Sequence, residues 1–68
     1  MNYVYVLQSL KDKKFYVGRT ENIKLRLEQH NKGLVNSTRM RMPLKLIYYE
    51  VCLSKYDAIK REKYLKTA

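Results

Sequence analysis

Four kinds of side chain in this sequence could act together on a phosphate ester: tyrosine, arginine, histidine and glutamate. Tyr5 and Tyr16 lie in aromatic and β-branched runs, Arg26 and His30 are four residues apart, and Glu62 lies near the end. Residues four apart share one face of a helix, so Arg26 and His30 could point into the same cleft. A carboxylate with tyrosines and cations suits phosphoryl chemistry, in which a divalent cation neutralises phosphate oxygens and arginine stabilises developing charge.

Glu62 occupies an uncomfortable position in its predicted helix. It lies four residues after Ala58 and between Ile59 and Leu65, so the helical period places a carboxylate on the apolar stripe. A charge in that position needs a partner. Two interpretations remain open at this point: an ion pair with a neighbouring arginine at the edge of the core, or a metal ligand.

The other candidates also have structural interpretations. Arg26 alone reads as a surface helix residue, and His30 as a helix-end residue whose charge favours the helix dipole. Tyr5 and Tyr16 would ordinarily pack the sheet. Arg19 adds a cation at the end of the second strand, where most arginines are simply solvated. The sequence contains no nucleotide-binding glycine loop and no Ser-His-Asp order that would suggest another chemistry.

The hydrophobic patterns predict five elements that would position these residues. Period-two runs at 2–8 and 15–18 predict a β-hairpin, and the spacing over 22–32 predicts a helix with Asn22 and Gly33 as caps. A third strand is predicted at 46–51, and a second helix from residue 54 onwards. We therefore expect an α+β fold: a small three-stranded, largely antiparallel sheet flanked by helices, in the order β-β-α-β-α.

Length and charge restrict the class of protein. A chain of 68 residues is long enough for one domain, which we expect to span 1–68. The lone Cys52 cannot form an internal disulfide, and no Cys/His set has zinc spacing. The sequence predicts no membrane span and no signal peptide, so we expect a soluble, cytoplasmic protein.

The basic charge favours a polyanionic partner. Fifteen Lys and Arg against six Asp and Glu give a net charge of +9, which makes nucleic acid the first candidate. A solvated basic surface is the structural alternative. An acidic membrane fits less well, because the predicted helices lack Trp/Phe-rich apolar faces. The candidates for DNA contacts are Arg19, Lys24, Arg39 and Arg41, of which the last two lie in the irregular connection 34–43.

Four ordered segments together resemble the GIY-YIG nuclease domain, particularly the short, free-standing bacterial proteins. They are Tyr3-Val4-Tyr5, then Tyr16-Val17-Gly18 followed by Arg19-Thr20, then 22–31 with its Arg and His, and finally 58–66 with its glutamate. The domain is also similar to the N-terminal nuclease domain of the bacterial excision-repair endonuclease. The segments cover nearly the whole chain in the expected order.

Two features depart from the family pattern. Tyr3 stands where the glycine of the first motif is expected, which leaves Tyr5 in place. The chain ends directly after the glutamate helix, whereas relatives usually continue with another basic segment, so we expect a C-terminal segment to be missing.

The resemblance implies a metal-dependent endonuclease that acts on DNA. Glu62 would be the sole protein ligand of one Mg²⁺ or Mn²⁺, with water and the scissile phosphate completing the coordination. Arg26 would contact that phosphate, supported by Arg19.

The remaining candidates would handle protons and hydrogen bonds. His30 and Tyr5 would complete the hydrogen-bond shell, Tyr16 would accept the proton of the attacking water, and Tyr5 would be the fallback for that role. Glu50, the only carboxylate on a predicted strand, is the fallback for Glu62 as the metal ligand.

A different class of function is compatible with the same residues. A non-catalytic or partner-dependent nucleic-acid-binding module could keep the fold without turnover. A purely structural or protein-binding domain leaves both the charge and the motifs unexplained. We expect the nuclease to be directed by DNA structure or weakly selective, in repair, recombination or defence, and to associate with the nucleoid when bound to DNA.

Overall fold

The computed structural model describes residues 1–67 of the chain. Its strands and α-helices are β1 (Asn2–Ser9), β2 (Phe15–Thr20), α1 (Ile23–Asn31), β3 (Leu44–Cys52) and α2 (Lys55–Thr67). A short 3-10 turn, Arg39–Arg41, lies in the connection between α1 and β3. The predicted α+β class and element order are confirmed. Neither helix in this part of the chain combines the length and apolarity that crossing a bilayer requires.

β1 is the central strand of the sheet, whose order is β2-β1-β3. Both neighbours run antiparallel to it, and Tyr5 lies opposite Gly18 on β2 and Tyr49 on β3. The β1–β3 register shifts between Val6 and Leu7. The sheet is thus antiparallel as predicted, and β1 has a strand on each side.

The core forms on both faces of β1. Successive side chains of a strand point to opposite faces, and Val4, Tyr5 and Leu7 are 0%, 2% and 0% exposed. Tyr5 and Leu7 pack with Leu44. Around them lie partly buried side chains from β2, α1 and β3: Tyr16, Ile23, Leu27 and Leu46. α1 therefore covers the face of the sheet that carries Tyr5.

α2 lies against the opposite face, which carries Val4. Val4 is paired with Arg19 on β2 and with Glu50 on β3, and such cross-strand partners project from the same face. Both partners form ion pairs with α2: Arg19 Nε lies 3.5 Å from Glu62 Oε1, and Arg61 binds the Glu50 carboxylate. Ion pairs at both edges of the sheet thus connect α2 to it.

The helices begin as the sequence predicted. Asn22 Oδ1 accepts a hydrogen bond of 3.1 Å from the Leu25 N–H, and Ser54 Oγ accepts one of 3.1 Å from the Asp57 N–H. Gly33, beyond the end of α1, has a φ of 76°, which is in the left-handed region that favours glycine. The capping residues therefore define the ends of α1 and the start of α2.

All three strands are longer than their hydrophobic patterns predicted, β1 by the single residue Ser9. β2 continues through Gly18 to Thr20, and β3 begins at Leu44 rather than at residue 46. The prediction that Gly18 ends its strand is wrong, because pairing with β1 continues through Arg19 and Thr20. Backbone pairing, rather than side-chain pattern, sets these strand ends.

One side chain ties the end of α1 to the start of β3. Asn31 Oδ1 accepts from the Leu44 N–H at 2.8 Å, and Asn31 Nδ2 donates to the Leu44 carbonyl at 3.0 Å. The amide thus satisfies both backbone groups of Leu44, much as a neighbouring strand would. Leu44 is only 4% exposed, so water has little access to replace these bonds. The linkage holds the last turn of α1, including His30, against the sheet.

We expect Asn31→Ala to lower the free energy of unfolding by about 2 kcal/mol, because it leaves the buried Leu44 N–H and carbonyl without partners. Asn36→Ala, at an exposed loop position, is the matched control and should change stability by less than about 0.5 kcal/mol. Urea denaturation followed by circular dichroism measures both. Equal stabilities of the two variants would contradict the role given to Asn31.

Candidate active site

A buried chain of hydrogen bonds links β1, α1 and the connection before β3. The Tyr5 hydroxyl lies 2.9 Å from His30 Nε2, and His30 Nδ1 lies 2.7 Å from Thr38 Oγ1. His30 and Thr38 are completely buried. His30 occupies the last turn of α1, four residues after Arg26, so the helix that packs on Tyr5 also delivers the imidazole to its hydroxyl.

Burial determines the charge of His30. Burial, together with the smaller effect of the positive charge of Arg26, lowers the pKa of His30 from 6.5 to about 4. The imidazole is therefore neutral near pH 7. This excludes the interpretation of His30 as a charged helix-end residue, because the ring lies in the interior between two hydroxyl groups.

Tyr16 and Gly18 of β2 complete the walls around the Tyr5 ring. The Tyr16 ring centroid lies 5.1 Å from that of His30 and 6.4 Å from that of Tyr5. A Cβ at Gly18 would lie 2.5 Å from the Tyr5 hydroxyl oxygen and 3.0 Å from Tyr16 Cε1. Gly18 is therefore required for the close approach of Tyr5 to the backbone of β2.

Charged groups from both helices act on the Tyr5 hydroxyl. Burial raises the pKa of Tyr5 above its ordinary value, the nearby Arg26 guanidinium opposes this, and the nearby Tyr16 and Glu62 raise it again. Tyr5 is therefore protonated near neutral pH. Arg26 itself is partly buried and donates from Nη1 to Gln29 Oε1 at 3.1 Å. The structure thus brings the five predicted catalytic residues within electrostatic reach of one hydroxyl.

Glu62 is held between two cations. Its Oε1 lies 3.5 Å from Arg19 Nε and its Oε2 lies 3.3 Å from Lys66 Nζ, while its side chain is 18% exposed. The predicted position beside Ala58 is confirmed, since Ala58 is 1% exposed on the same helix face. In the free protein Glu62 forms ion pairs, as the first of the two interpretations expects. The carboxylate still reaches solvent, so the second interpretation, a metal ligand, stays open.

A cleft of about 160 Å³ opens beside the Arg19–Glu62 pair. It is lined by the start of β1, the end of β2 and the first turns of α2, namely Asn2, Tyr3, Arg19, Thr20, Glu21, Lys55 and Ala58. Arg19 is the one predicted site residue in this lining. Tyr5, Tyr16 and His30 lie on the other face of the sheet. Arg19 is therefore the only residue that connects the cleft to the candidate site.

Among the predicted catalytic residues, Glu62 is the only carboxylate that could bind a metal ion. Within residues 1–67, no group of three or more His, Cys, Asp and Glu side chains could hold a metal ion. His30 is engaged at both ring nitrogens. The donor set therefore fits a hard divalent cation that takes one ligand from Glu62 and the rest from water and substrate oxygens.

The predicted DNA-binding cations do not form one group. Lys24 on α1 and Arg39 in the 3-10 turn are exposed, and Arg19 is paired with Glu62. Arg41 lies near the β1–β2 turn: its Nη2 donates to the Phe15 carbonyl at 3.4 Å.

Arg41 has a structural role in addition to its charge. Its Nε lies 3.3 Å from Asp12 Oδ2 without the alignment of a hydrogen bond, and that nitrogen is buried. Its carbonyl accepts from the buried Ser9 Oγ at 2.6 Å. Arg41 therefore stabilises the connection against the turn, at the end of β1 far from Arg19.

Thr38 is the site residue that sequence reasoning missed. It lies in the irregular connection 34–43, where no periodicity indicates which side chain turns inward. Asn31 is the last residue of the segment 22–31 that resembles the family's first helix, and the sequence indicated no role for it. The only sequence signal for Asn31 was a polar residue near a helix end, and Thr38 had none.

Comparisons with known proteins identify a matching family model and several relatives. The model of the GIY-YIG catalytic domain matches residues 1–68. A UPF0213 protein of Clostridium perfringens is 45% identical over 67 residues, which are 97% of this chain and 71% of that protein. A UPF0213 protein of Syntrophus aciditrophicus is 42% identical, over 96% of this chain and 76% of that protein. The solution NMR structure of a UPF0213 protein from Bacillus halodurans aligns with a TM-score of 0.59 and 34% identity, covering 100% of this chain and 73% of that one.

The buried, neutral His30 predicts a pH dependence of stability. Its pKa in the folded state, about 4, is below the ordinary 6.5, so the unfolded chain binds a proton more readily. The contribution of His30 is fully present above pH 6.5 and is lost as the pH falls from there towards 4, by up to about 3 kcal/mol. Urea denaturation between pH 8 and pH 4 measures it. The NMR signals of the ring give its pKa directly, because His30 is the only histidine. An ordinary pKa with unchanged stability would contradict the buried position.

Proposed function

Because the chain belongs to the GIY-YIG catalytic-domain family, a family of nucleases, we propose that it is a metal-dependent endonuclease that hydrolyses phosphodiester bonds in DNA. The observation that supports this most is the convergence of Tyr5, Tyr16, Arg26, His30 and Glu62 from four different elements. Packing alone has no need of a second tyrosine, a neutral histidine, an arginine and a carboxylate within electrostatic reach of the Tyr5 hydroxyl. The chemistry of phosphoryl transfer uses all of them.

Glu62 is the proposed protein ligand of one Mg²⁺ or Mn²⁺. When bound there, the ion would act as a Lewis acid that neutralises charge on phosphate oxygens. A phosphate approaching the site would compete with Glu62 for Arg19, whose side chain is 37% exposed. Binding of substrate would thus free the carboxylate oxygen that Arg19 holds in the free protein.

Arg26 is the proposed contact to the scissile phosphate. Its guanidinium is partly buried beside Tyr5, where an ion pair with a phosphate is stronger than in water. Arg19, which pairs with Glu62 at the end of β2, is proposed to support it. Lys24 and Arg39 are exposed and are proposed to contact phosphates farther along the DNA, with little dependence on sequence.

Tyr16 is the proposed acceptor of the proton from the attacking water. The acceptor has to meet that water, and Tyr16 is only partly buried, whereas Tyr5 is 2% exposed and retains its proton. Tyr5 then contributes a hydrogen bond. Access to solvent is the physical reason for preferring Tyr16 over Tyr5.

One observation favours the second candidate function, a nucleic-acid-binding module without turnover. Both carboxylate oxygens of Glu62 are engaged by cations, Arg19 and Lys66, which oppose the binding of a metal ion. If these pairs persist on DNA, the protein binds phosphates and does not cut. Substitution of Glu62 separates the two functions.

We expect Glu62→Gln to abolish cleavage while the free energy of unfolding changes by less than about 1 kcal/mol. The two cations beside it remain 37% and 52% exposed, so neither is left buried without a counter-charge. DNA binding should persist or tighten, because a negative charge near the phosphate is removed. One preparation is used for a melting curve, a DNA titration, and a plasmid cleavage assay with Mg²⁺, with Mn²⁺ and with chelator.

Glu28→Gln is the matched control for this experiment. Glu28 is exposed on α1, so the substitution removes the same charge at a different place. This control should cut like the wild type. A folded Glu62→Gln protein that also cuts would exclude Glu62 from the active site and make Glu50 the next candidate, while a wild type that binds but never cuts would support the binding module.

We expect Tyr16→Phe to reduce kcat by about 100-fold or more, because the proton acceptor is lost while the ring that packs against His30 remains. Thermal stability should stay close to that of the wild type. Tyr5→Phe is the comparison, and it should lose less activity with an unshifted pH profile. If Tyr16→Phe cuts at the wild-type rate and Tyr5→Phe does not, the two roles are exchanged.

A further inference from the structure

Two tyrosines and a lysine form a stripe along the outer side of α2. Tyr56, Lys60 and Tyr64 are spaced four residues apart, so these three residues, the α2 stripe, share one side of the helix. The buried Ala58 faces nearly the opposite way, towards the sheet. Tyr56 and Tyr64 are 66% and 62% exposed. One exposed ring is ordinary, whereas two rings aligned on a helix side indicate a contact surface that the fold itself does not use.

A cation lies against each of the two rings. Lys60 Nζ is 5.0 Å from the centroid of the Tyr56 ring, and Arg61 Cζ is 5.1 Å from that of Tyr64. Arg61 is in turn bound to the Glu50 carboxylate on β3, which limits its movement. Because both rings are largely exposed, each still presents aromatic surface to another planar group. Aromatic rings beside cations are the combination that binds single-stranded nucleic acid, by stacking on bases and pairing with phosphates.

Lysines connect the α2 stripe to Glu62. Lys66 Nζ lies 3.3 Å from Glu62 Oε2. Lys63 and Lys60 precede Lys66 at intervals of three residues, each of which turns about 60° around an α-helix. The three lysines therefore lead from the proposed metal ligand around α2 to Tyr56. A nucleic-acid strand that leaves Glu62 along this path would have cations near successive phosphates before its bases reach the rings.

The pairing of the bases decides which nucleic acid fits the α2 stripe. In a duplex, neighbouring base pairs cover the faces of each base, and only the base edges are accessible in the grooves. An aromatic side chain stacks on a base without opening the duplex only where that base is unpaired or terminal. Two exposed rings with adjacent cations therefore favour a single-stranded segment over a continuous duplex.

We propose that the α2 stripe binds unpaired bases of the DNA strand that leads away from the cleavage site. Tyr56 and Tyr64 stack on bases, while Lys60 and Lys63 contact the phosphates of the same strand. The proposal rests on the proposed nuclease function for the identity of the ligand as DNA. It also defines the substrate class: DNA that has a single-stranded segment next to the scissile bond.

The first test measures binding of the full chain by fluorescence anisotropy of labelled DNA, with chelator present so that no cleavage is needed. The two probes are a single-stranded oligonucleotide and a strand of the same length made of abasic nucleotides. The wild type should bind the ordinary strand about tenfold more tightly, because the abasic strand keeps the phosphates but has no bases to stack. Equal affinities would overturn the proposal and point to an acidic protein segment as the partner.

Substitutions of the two rings test whether the α2 stripe is the cause. Tyr56→Ala and Tyr64→Ala should each weaken binding of the single strand about fivefold, whereas Tyr56→Phe and Tyr64→Phe should retain it. Affinities for the abasic strand and for a blunt duplex should stay within about twofold, because neither offers a free base face along its length. Phe15→Ala, which removes a ring that is 62% exposed at the far end of β2, is the matched control and should bind like the wild type.

An equal loss of affinity for all three DNAs would show that the rings do not act by stacking, and the proposal would fail. The comparison of ordinary and abasic strands uses the wild type, so it decides the matter even if a variant does not fold. In cleavage assays, Tyr56→Ala and Tyr64→Ala should raise KM for DNA with a single-stranded segment about fivefold at a nearly unchanged kcat. Absence of cleavage in the wild type would refute the nuclease proposal instead, and the binding measurements would still decide the role of the α2 stripe.

Discussion

Burial of one neutral imidazole is the constraint on which the site depends. His30 can lie in the interior only because hydroxyl groups from two separate segments meet its two nitrogens, at 2.9 and 2.7 Å. That requirement fixes the angle of α1 on the sheet, the path of the connection that carries Thr38, and the place of the Tyr5 hydroxyl. The Asn31 amide, one residue further on, ties the same helix end to β3. A short chain thereby gains a rigid site without a disulfide, since its one cysteine is free.

The excess of positive charge imposes a second constraint. The chain has only six acidic residues against fifteen basic ones. The position of each carboxylate therefore affects how much the repulsion between basic side chains destabilises the fold. Glu50 and Glu62 lie on the α2 face, each bound to an arginine, and connect the helix to opposite edges of the sheet. The side chain proposed to hold a metal ion is therefore also part of what keeps α2 in place. Glu62 thus has both a proposed functional role and a structural role. Both roles depend on salt concentration, because both involve interactions with neighbouring charges.

Much of the fold could be predicted because strands and helices repeat with fixed periods. The five elements, their order and the caps at Asn22 and Ser54 follow from local pattern and local hydrogen bonding. Strand ends were less predictable, since β2 extends past Gly18 through pairing with a strand that is distant in sequence. Glu62 could be singled out because a charge on an apolar stripe is a local anomaly.

Other features depend on distant contacts that no local pattern records. Thr38 turns inward because of His30, eight residues earlier, and nothing in its own segment indicates that. The structural role of Arg41 depends on Ser9 and Asp12, which lie far away in the sequence. The candidate cations were recognisable by type, whereas their partners were visible only in three dimensions.

The close approach of Tyr5 to Gly18 couples the substitutions that these two positions can accept. The tyrosine oxygen occupies the space into which any other residue at 18 would place its Cβ. A lineage that loses the tyrosine no longer needs the glycine, whereas one that keeps the tyrosine cannot exchange the glycine first. The two positions therefore have an order of permitted change. A relative with a larger residue at the position of Gly18 and no tyrosine at that of Tyr5 would mark a descendant in which this site has been abandoned.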